Sequence, residues 1–151
     1  MAMVSAIRWG IKDSLLGYIR SLPDGEVALG EPANQDGSEF VFPIDADGSD
    51  FDPDSLTGEL KARGSVTLSG HWGALRIVIG QPRLVLENGD GQLILAQLGL
   101  FSAEPYFTLA TLRQAKAGEQ WTFDVFLSAE GRQMLGEQYL VGHELSPLIL
   151  Q

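Results

Sequence analysis

The chain has 151 residues, the usual size of a single domain, and is long enough to bury a core without disulfides or a structural metal. It has 44% hydrophobic and 20% charged residues and no cysteine, which excludes disordered and fibrous classes, thiolate metal sites and thioether-attached cofactors. The formal net charge of −10 disfavours nucleic acid and anionic lipid as partners. We therefore expect one domain over residues 1–151.

No segment of the sequence has the pattern of an export signal or a membrane span. Arg8 and Trp9 interrupt the apolar stretch that a signal peptide needs. The longest apolar run, residues 93–101, is broken by Gln97 and Gly99 and is shorter than the roughly 18 residues of a membrane helix. We expect no membrane insertion. The expected location is the cytoplasm if this is the whole native chain, and the cell envelope or the exterior if it is a piece of a longer one.

The first predicted element is a helix. Apolar side chains recur at the spacing of one helical face, and Leu22-Pro23-Asp24-Gly25 supplies a stop signal. The members of this face are Ile11, Leu15, Tyr18, Ile19 and Leu22. The pattern predicts a helix over residues 7–21.

After this helix the apolar period changes to two, which is typical of half-buried strands. Asn88-Gly89-Asp90-Gly91 predicts a hairpin turn, because these residues tolerate positive φ. The middle of the chain is therefore predicted to form an antiparallel meander. The alternating segments lie near residues 27–29, 40–42, 60–68, 75–79, 84–86 and 93–95.

The last third of the chain has one segment without a period, residues 98–118, which we predict to be loop with one short strand at 107–109. Residues 121–127 alternate again, Ser128 is a candidate N-cap for a short helix over about 129–138, and 145–150 predict a last strand. The fold class predicted from all elements is mainly β, an antiparallel β-sandwich or partly closed barrel with two short helices.

The acidic stretch at residues 45–54 invites a calcium interpretation, because hard cations prefer clustered carboxylates. An EF-hand loop needs Gly at its sixth position and Glu at its twelfth, but counting from Asp45 those positions hold Asp50 and Leu56. We therefore predict a solvated turn here. The signature motifs of serine hydrolases, P-loop NTPases, dinucleotide-binding proteins and zincins are missing from the sequence.

Three polar residues are candidates for chemistry. Ser14 and Tyr18 are spaced by one helical turn, so they line the same side of the predicted helix. His71 ends a predicted strand within the segment Ser69-Gly70-His71-Trp72-Gly73. The other histidine, His143, is predicted to be an exposed loop residue. Each candidate alone is also compatible with an ordinary structural role.

Three co-ordered motifs resemble the HtaA-type haem-binding domains of actinobacterial haem-uptake proteins. The opening motif, over residues 7–18, is similar to W-G-x-K-x-S-x-x-x-Y. The second runs from Phe42-Pro43 to Gly70-His71-Trp72-Gly73-Ala74-Leu75, like the family's G-H-x-G-A-L core, and continues into Gln81-Pro82-Arg83. The closing motif, residues 127–148, is similar to L-T-A-E-G, then Y, G and L-D-P-L. The resemblance spans nearly the whole chain.

The resemblance implies a non-enzymatic carrier of ferric haem b. Tyr18 would be the axial ligand of the iron, His71 would hydrogen-bond its oxygen, Ser14 would contact a propionate, and Trp72 and Tyr139 would complete the cofactor-binding set. A free phenol has a pKa of about 10, so an Fe³⁺ ion must displace its proton and a neighbouring imidazole would stabilise the anion. Tyrosinate favours ferric iron, which suits capture and release, with other haem carriers or a haem transporter as further partners.

Two positions depart from the family pattern. Gln138 stands where the family often has an aromatic residue over the haem, and Trp72 is bulkier than the usual residue of its motif. These departures leave a rival hypothesis, in which the scaffold binds or acts on another hydrophobic small molecule with His71 and Tyr18 as an acid–base pair. A third hypothesis is an interaction module without a small ligand.

Overall fold

The computed structural model describes residues 4–97, 106–115, 121–136 and 138–151. Two α-helices are described there, α1 at Asp13–Ser21 and α2 at Ala129–Leu135. The strands, numbered β1 to β13 in chain order, are Ala6–Trp9, Glu26–Gly30, Asn34–Asp36, Glu39–Pro43, Asp50–Asp52, Thr57–Lys61, Ser65–Gly70, Leu75–Gly80, Arg83–Glu87, Asp90–Ala96, Tyr106–Gln114, Thr122–Leu127 and Glu144–Leu150.

The described strands form two antiparallel sheets. Ten of them make one curled half-barrel sheet in the order β3-β4-β1-β13-β12-β11-β10-β9-β6-β5, and the other three make a small sheet in the order β2-β7-β8. An isolated bridge between Ile44 and Ala62 connects the chain just after β4 with the chain just after β6, near opposite ends of the large sheet. The mainly β prediction is confirmed, and the observed geometry is the partly closed one.

A single apolar core joins both sheets and α1. Its largest side chains, Trp9, Phe40, Phe42 and Phe123, are almost completely removed from solvent. Burying aromatic side chains of this size dominates the energy of such cores, with roughly 150–250 Å² removed from water by each. Leu15, Leu16 and Ile19 attach α1 to this core. Neither of the described helices is long and apolar enough to cross a membrane.

The helix predicted over residues 7–21 is wrong in its first half. Ala6–Trp9 is strand β1, which pairs with β4 on one side and β13 on the other, and the helix begins only at Asp13. Between them, Ile11 has φ +63°, which breaks any helix. A buried position between two strands gives these apolar residues more pairing and packing than a helix would, so tertiary context overrides the local period.

The predicted continuous meander is also wrong, although its two hairpins are present. β7 pairs with β8 in the small sheet, and β9 pairs with β10 in the large sheet. β8 and β9 are not paired with each other, because they belong to different sheets. The chain passes from the small sheet to the large one through Gly80, Gln81 and Pro82, and Gln81 has φ +44°. Sequence alternation identifies strands but not which sheet each joins.

The segment predicted as loop contains a long strand. β11 covers Tyr106–Gln114 and is paired on both sides, by β10 and β12, whereas residues 98–105 and 116–118 of the same segment lie outside the described residues. A register shift at Leu93 and Ile94 of β10 accompanies this pairing, and such a bulge removes the simple period of two.

The second helix matches its prediction at the start and is shorter at the end. The Ser128 hydroxyl accepts a hydrogen bond from the Gly131 backbone N–H at 2.9 Å, which is the expected N-cap. The helix ends at Leu135 instead of residue 138, because Gly136 has φ +120° and leaves the helical conformation.

Candidate functional site

Helix α1 presents Tyr18 to solvent while it buries its opposite face. Tyr18 is 48% exposed, although its neighbour Ile19 is fully buried. Ser14, one turn earlier, is exposed on the same side. The helix therefore aims a hydroxyl and a phenol at the same space.

His71 reaches Tyr18 from the turn between β7 and β8. The Tyr18 Oη and the His71 Nε2 are 2.5 Å apart, a short hydrogen bond, and the two ring centroids are 5.8 Å apart with an interplanar angle of 47°. The predicted pair is thus brought together across 53 residues of sequence. Which atom donates depends on the imidazole tautomer.

The turn that carries His71 has an unusual backbone. His71, Trp72 and Gly73 have φ values of +51°, +56° and +91°, so three consecutive residues lie in the left-handed region. For residues other than glycine this region is unfavourable and persists only where the surroundings hold it. The Asp24 carboxylate stabilises this conformation, because it accepts hydrogen bonds from the backbone N–H of His71 at 3.1 Å and from that of Trp72 at 2.5 Å.

Tyr18 and His71 lie at the wall of a cavity of about 500 Å³, within the usual size of small-molecule pockets. Aliphatic walls come from both helices and from β8, and polar groups occupy the rim. The complete lining is Ser14, Leu15, Tyr18, His71, Leu75, Leu135, Gln138 and Tyr139. The three leucines were not expected as site residues, because their spacing indicates only a core position.

The far wall of the cavity follows the end of α2. Tyr139 is half-buried there, and its carbonyl oxygen accepts a hydrogen bond from Arg132 Nε at 2.7 Å. Its ring lies against His143, with centroids 5.3 Å apart. The exposed position predicted for His143 is confirmed. Gln138 lines the cavity, so this wall is more polar than an aromatic residue would make it.

Trp72 is the one predicted cofactor contact that does not line the cavity. Its side chain is 86% exposed, immediately next to His71 in the turn. Tyr18, Leu140 and Val141 are also exposed, at 48%, 71% and 60%. Large apolar side chains in water are unfavourable, so the exposure of Tyr18 at the cavity and of Trp72 next to His71 is typical of a binding surface.

The predicted residues fit a haem in their chemistry. Phenolate oxygen is a hard ligand that suits ferric iron, and haem iron is bound by tyrosine in some proteins. A hydrogen-bonding imidazole next to such a ligand is the usual outer partner of a metal site. Leu15, Leu75 and Leu135 provide apolar surface for a flat macrocycle, and the exposed Ser14 hydroxyl is available to a carboxylate at the rim.

The acidic segment does not form a cation site. In the parts of the chain that the structure describes, no group of three or more His, Cys, Asp or Glu side chains lies close enough to hold a metal. The Asp52 carboxylate instead accepts hydrogen bonds from the Ser55 hydroxyl at 2.8 Å and the Asp54 N–H at 3.0 Å. These two bonds hold the pKa of Asp52 below its ordinary value. The solvated turn predicted over residues 45–54 is only partly right: none of these residues is buried, but Asp50–Asp52 forms strand β5, paired with β6.

A larger groove, of about 1000 Å³, lies over the strands β5, β6, β9 and β10. Its lining includes the carboxylates of Asp50, Glu59, Glu87 and Asp90 and contains neither histidine nor tyrosine. It is wide open to solvent, and Val85 and Leu86 are its large apolar side chains, among mostly polar and acidic residues. The smaller cavity at Tyr18 is therefore the better candidate for a hydrophobic ligand.

Comparison with solved structures finds proteins of the same fold, HtaA and HtaB from Corynebacterium glutamicum. The chain is similar to the C-terminal domain of HtaA from Corynebacterium glutamicum, with 24% identity, a TM-score of 0.78, and coverage of 96% of this chain and 94% of that one. The N-terminal domain of the same protein gives 23% identity, a TM-score of 0.78, and coverage of 100% and 98%. Heme binding protein HtaB from Corynebacterium glutamicum gives 18% identity, a TM-score of 0.70, and coverage of 97% and 91%.

At these identities the solved structures establish the fold, and the family assignment comes from the sequence. A search of curated proteins found no match. The family model described as Htaa matches residues 5–151, nearly the whole length of the chain. The resemblance inferred from the three motifs is therefore confirmed, and the chain belongs to the HtaA family.

Proposed function

We propose that this chain binds ferric haem through Tyr18 and carries it for transfer. The observation that carries the proposal is the 2.5 Å contact between Tyr18 Oη and His71 Nε2 at the wall of an apolar-lined cavity. Membership of the HtaA family and the similarity to a haem-binding protein, HtaB, support a haem-binding role.

In this proposal each residue has a distinct task. Bound haem supplies an Fe³⁺ centre that accepts an anionic oxygen ligand. Tyr18 would provide that oxygen by passing its proton to His71 Nε2, and the Nε2–H formed in this way would donate a hydrogen bond to the phenolate and stabilise its negative charge. Ser14 faces a propionate at the rim, and Tyr139 packs at the opposite wall. The leucines keep water away from the macrocycle.

The proposed cargo is haem b, held without covalent attachment, because the chain has no cysteine for a thioether bond. Tyrosinate ligation favours the ferric state over the ferrous one, so the site suits binding and release better than oxygen binding or electron transfer. Other haem-carrier proteins or a haem transporter are the proposed donors and acceptors. The acid–base enzyme hypothesis is not carried forward, since HtaA-family domains are haem-binding and haem-uptake proteins.

The experiment that tests this proposal is a hemin titration of the apo protein, followed by absorbance and electron paramagnetic resonance. We expect saturation at one hemin per chain and a high-spin ferric spectrum with a phenolate-to-iron charge-transfer band. The Tyr18→Phe variant at equal concentration and a buffer blank are the references for unspecific association. A broad spectrum that never saturates, like that of free hemin, would refute haem binding by this chain.

Trp72 is proposed to cover part of the bound macrocycle from the rim. Because an aromatic contact contributes about 0.5–1.5 kcal/mol beyond area burial, Trp72→Ala is expected to weaken hemin binding by up to about tenfold. Trp72→Phe retains an aromatic ring and is the conservative control. The measurement is the hemin dissociation constant of each variant. Binding by Trp72→Ala equal to that of the wild type would remove Trp72 from the site.

A further inference from the structure

We infer that Asp24 is a positioning residue that sets the geometry of the Tyr18–His71 pair. Its carboxylate joins the loop after α1, the helix that carries Tyr18, to the turn that carries His71. This inference rests on the proposed function of that pair and assigns a role to a residue outside it. At the level of sequence, Asp24 has only the appearance of a turn residue that ends a helix.

The strand register places Asp24 where this contact is possible. β2 begins at Glu26, which lies opposite Ser69 of β7. Because the strands are antiparallel, two residues before Glu26 face two residues after Ser69, and these are Asp24 and His71. Leu22 packs directly on Gly70, where an added Cβ would lie only 2.5 Å from Leu22 Cδ1. The lack of a side chain at Gly70 thus lets the two loops approach closely.

The two hydrogen bonds act on the strained part of the turn. Asp24 Oδ1 accepts from the His71 N–H and Oδ2 accepts from the Trp72 N–H, and both residues have positive φ. Each bond involves a charged acceptor, which makes it stronger than a neutral bond. Without them the unfavourable left-handed conformation of two non-glycine residues loses its stabilisation, and the His71 ring is free to leave Tyr18.

The same geometry explains why position 24 has a carboxylate and not a neutral amide: the side chain must accept two hydrogen bonds at once. A carboxylate has two acceptor oxygens for two neighbouring N–H donors, whereas an Asn side chain offers one oxygen and one NH₂ group. Asp24→Asn therefore retains one bond and opposes the second N–H with a donor. Asp24→Ala removes both bonds. The stability of the turn should therefore decrease from the wild type to Asp24→Asn and further to Asp24→Ala.

The test compares Asp24→Asn and Asp24→Ala with the wild type, and uses Glu26→Ala as the matched control. Glu26 is an exposed carboxylate two residues away, and among the described residues it makes no hydrogen bond to the turn. In the apo protein, amide hydrogen exchange at His71 and Trp72 is expected to accelerate in both Asp24 variants, more in Asp24→Ala, and to stay unchanged in Glu26→Ala. Unchanged exchange at both amides in Asp24→Ala would refute the inferred contact without any reference to haem.

The second part of the test asks whether Asp24 acts through His71. Asp24→Ala is expected to accelerate hemin dissociation to an apomyoglobin acceptor by about tenfold, the lower end of the effect of outer partners at metal sites, and to shift the charge-transfer band. In a His71→Ala background the same substitution is expected to leave the charge-transfer band unchanged and to affect dissociation less, because His71 is gone and only the Asp24 contact with Trp72 remains. An equal effect in both backgrounds, or a lower Tm with unchanged spectrum and dissociation, would refute the positioning role. Failure of the wild type to bind hemin contradicts the proposed function instead, and leaves the apo exchange result as a separate finding on Asp24.

Discussion

Replacing Tyr18 with phenylalanine is expected to abolish the ferric tyrosinate spectrum and to weaken hemin binding by at least about 100-fold. The substitution removes one oxygen and keeps the ring, so the cavity wall is preserved and only the proposed ligand is lost. Loss of an outer hydrogen-bonding partner costs about 10- to 100-fold at metal sites, and loss of the ligand itself should exceed that range. The measurement is a hemin titration read at the charge-transfer band, together with the dissociation constant.

The control for this variant is Tyr106→Phe. Tyr106 is a similarly exposed tyrosine, at 40%, but it lies on β11 with Arg83 over its ring and does not line the cavity. We expect Tyr106→Phe to bind hemin as the wild type does. Thermal unfolding of the apo proteins should show less than about 1 kcal/mol of difference for Tyr18→Phe, since its hydroxyl lies on the exposed side of α1. Hemin binding by Tyr18→Phe with an unchanged spectrum would exclude Tyr18 as the ligand.

Replacing His71 with alanine is expected to weaken hemin binding by about 10- to 100-fold while the tyrosinate character of the spectrum remains. The imidazole contacts the phenol oxygen at 2.5 Å but does not itself ligate the iron in this proposal. Without the imidazole the negative charge of the phenolate is less stabilised. We therefore expect the rate constant of hemin dissociation to rise by a larger factor than the rate constant of hemin association falls. Stopped-flow transfer of hemin to apomyoglobin measures release, and the absorbance maximum reports the altered ligand.

His143→Ala is the comparison for this second prediction. His143 is the other histidine of the chain, and its ring contacts Tyr139 instead of Tyr18. We expect its removal to change hemin release much less than that of His71. If His71→Ala instead loses the phenolate band completely, or if both variants release hemin equally fast, His71 is not the specific partner of Tyr18.

The fold class was predictable because side-chain alternation is a local property. Strand Ser65–Gly70 buries every second residue, and the hairpin turn at Asn88 and Gly89 has the positive φ that its residues permit. The element at Ala6–Trp9 was not predictable in the same way. Ile7 lies four residues before Ile11 and so continues the helical face, and only the presence of β4 and β13 on either side favours the strand.

The candidate site was predictable in its residue types and less so in its surroundings. The family resemblance identified Ser14, Tyr18, His71 and Tyr139, and all four line one cavity. Trp72 lies beside that cavity in the turn, with its side chain in solvent. The leucines of the wall and the Asp24 contact had no distinct signal, because a leucine in a periodic face and an aspartate in a turn are ordinary features.

By itself, the sequence determined an acidic, cysteine-free, mainly β chain with a tyrosine and a histidine in motifs that resemble those of haem-binding domains. Only the tertiary structure decided that β2, β7 and β8 form a sheet of their own, that this sheet's register sets Asp24 against His71, and that α1 brings Tyr18 to His71. The physical reason is that the alternation of apolar and polar residues within one segment already indicates which of its side chains are buried. The choice of partner strand depends on hydrogen bonds and packing between segments that are distant in the chain.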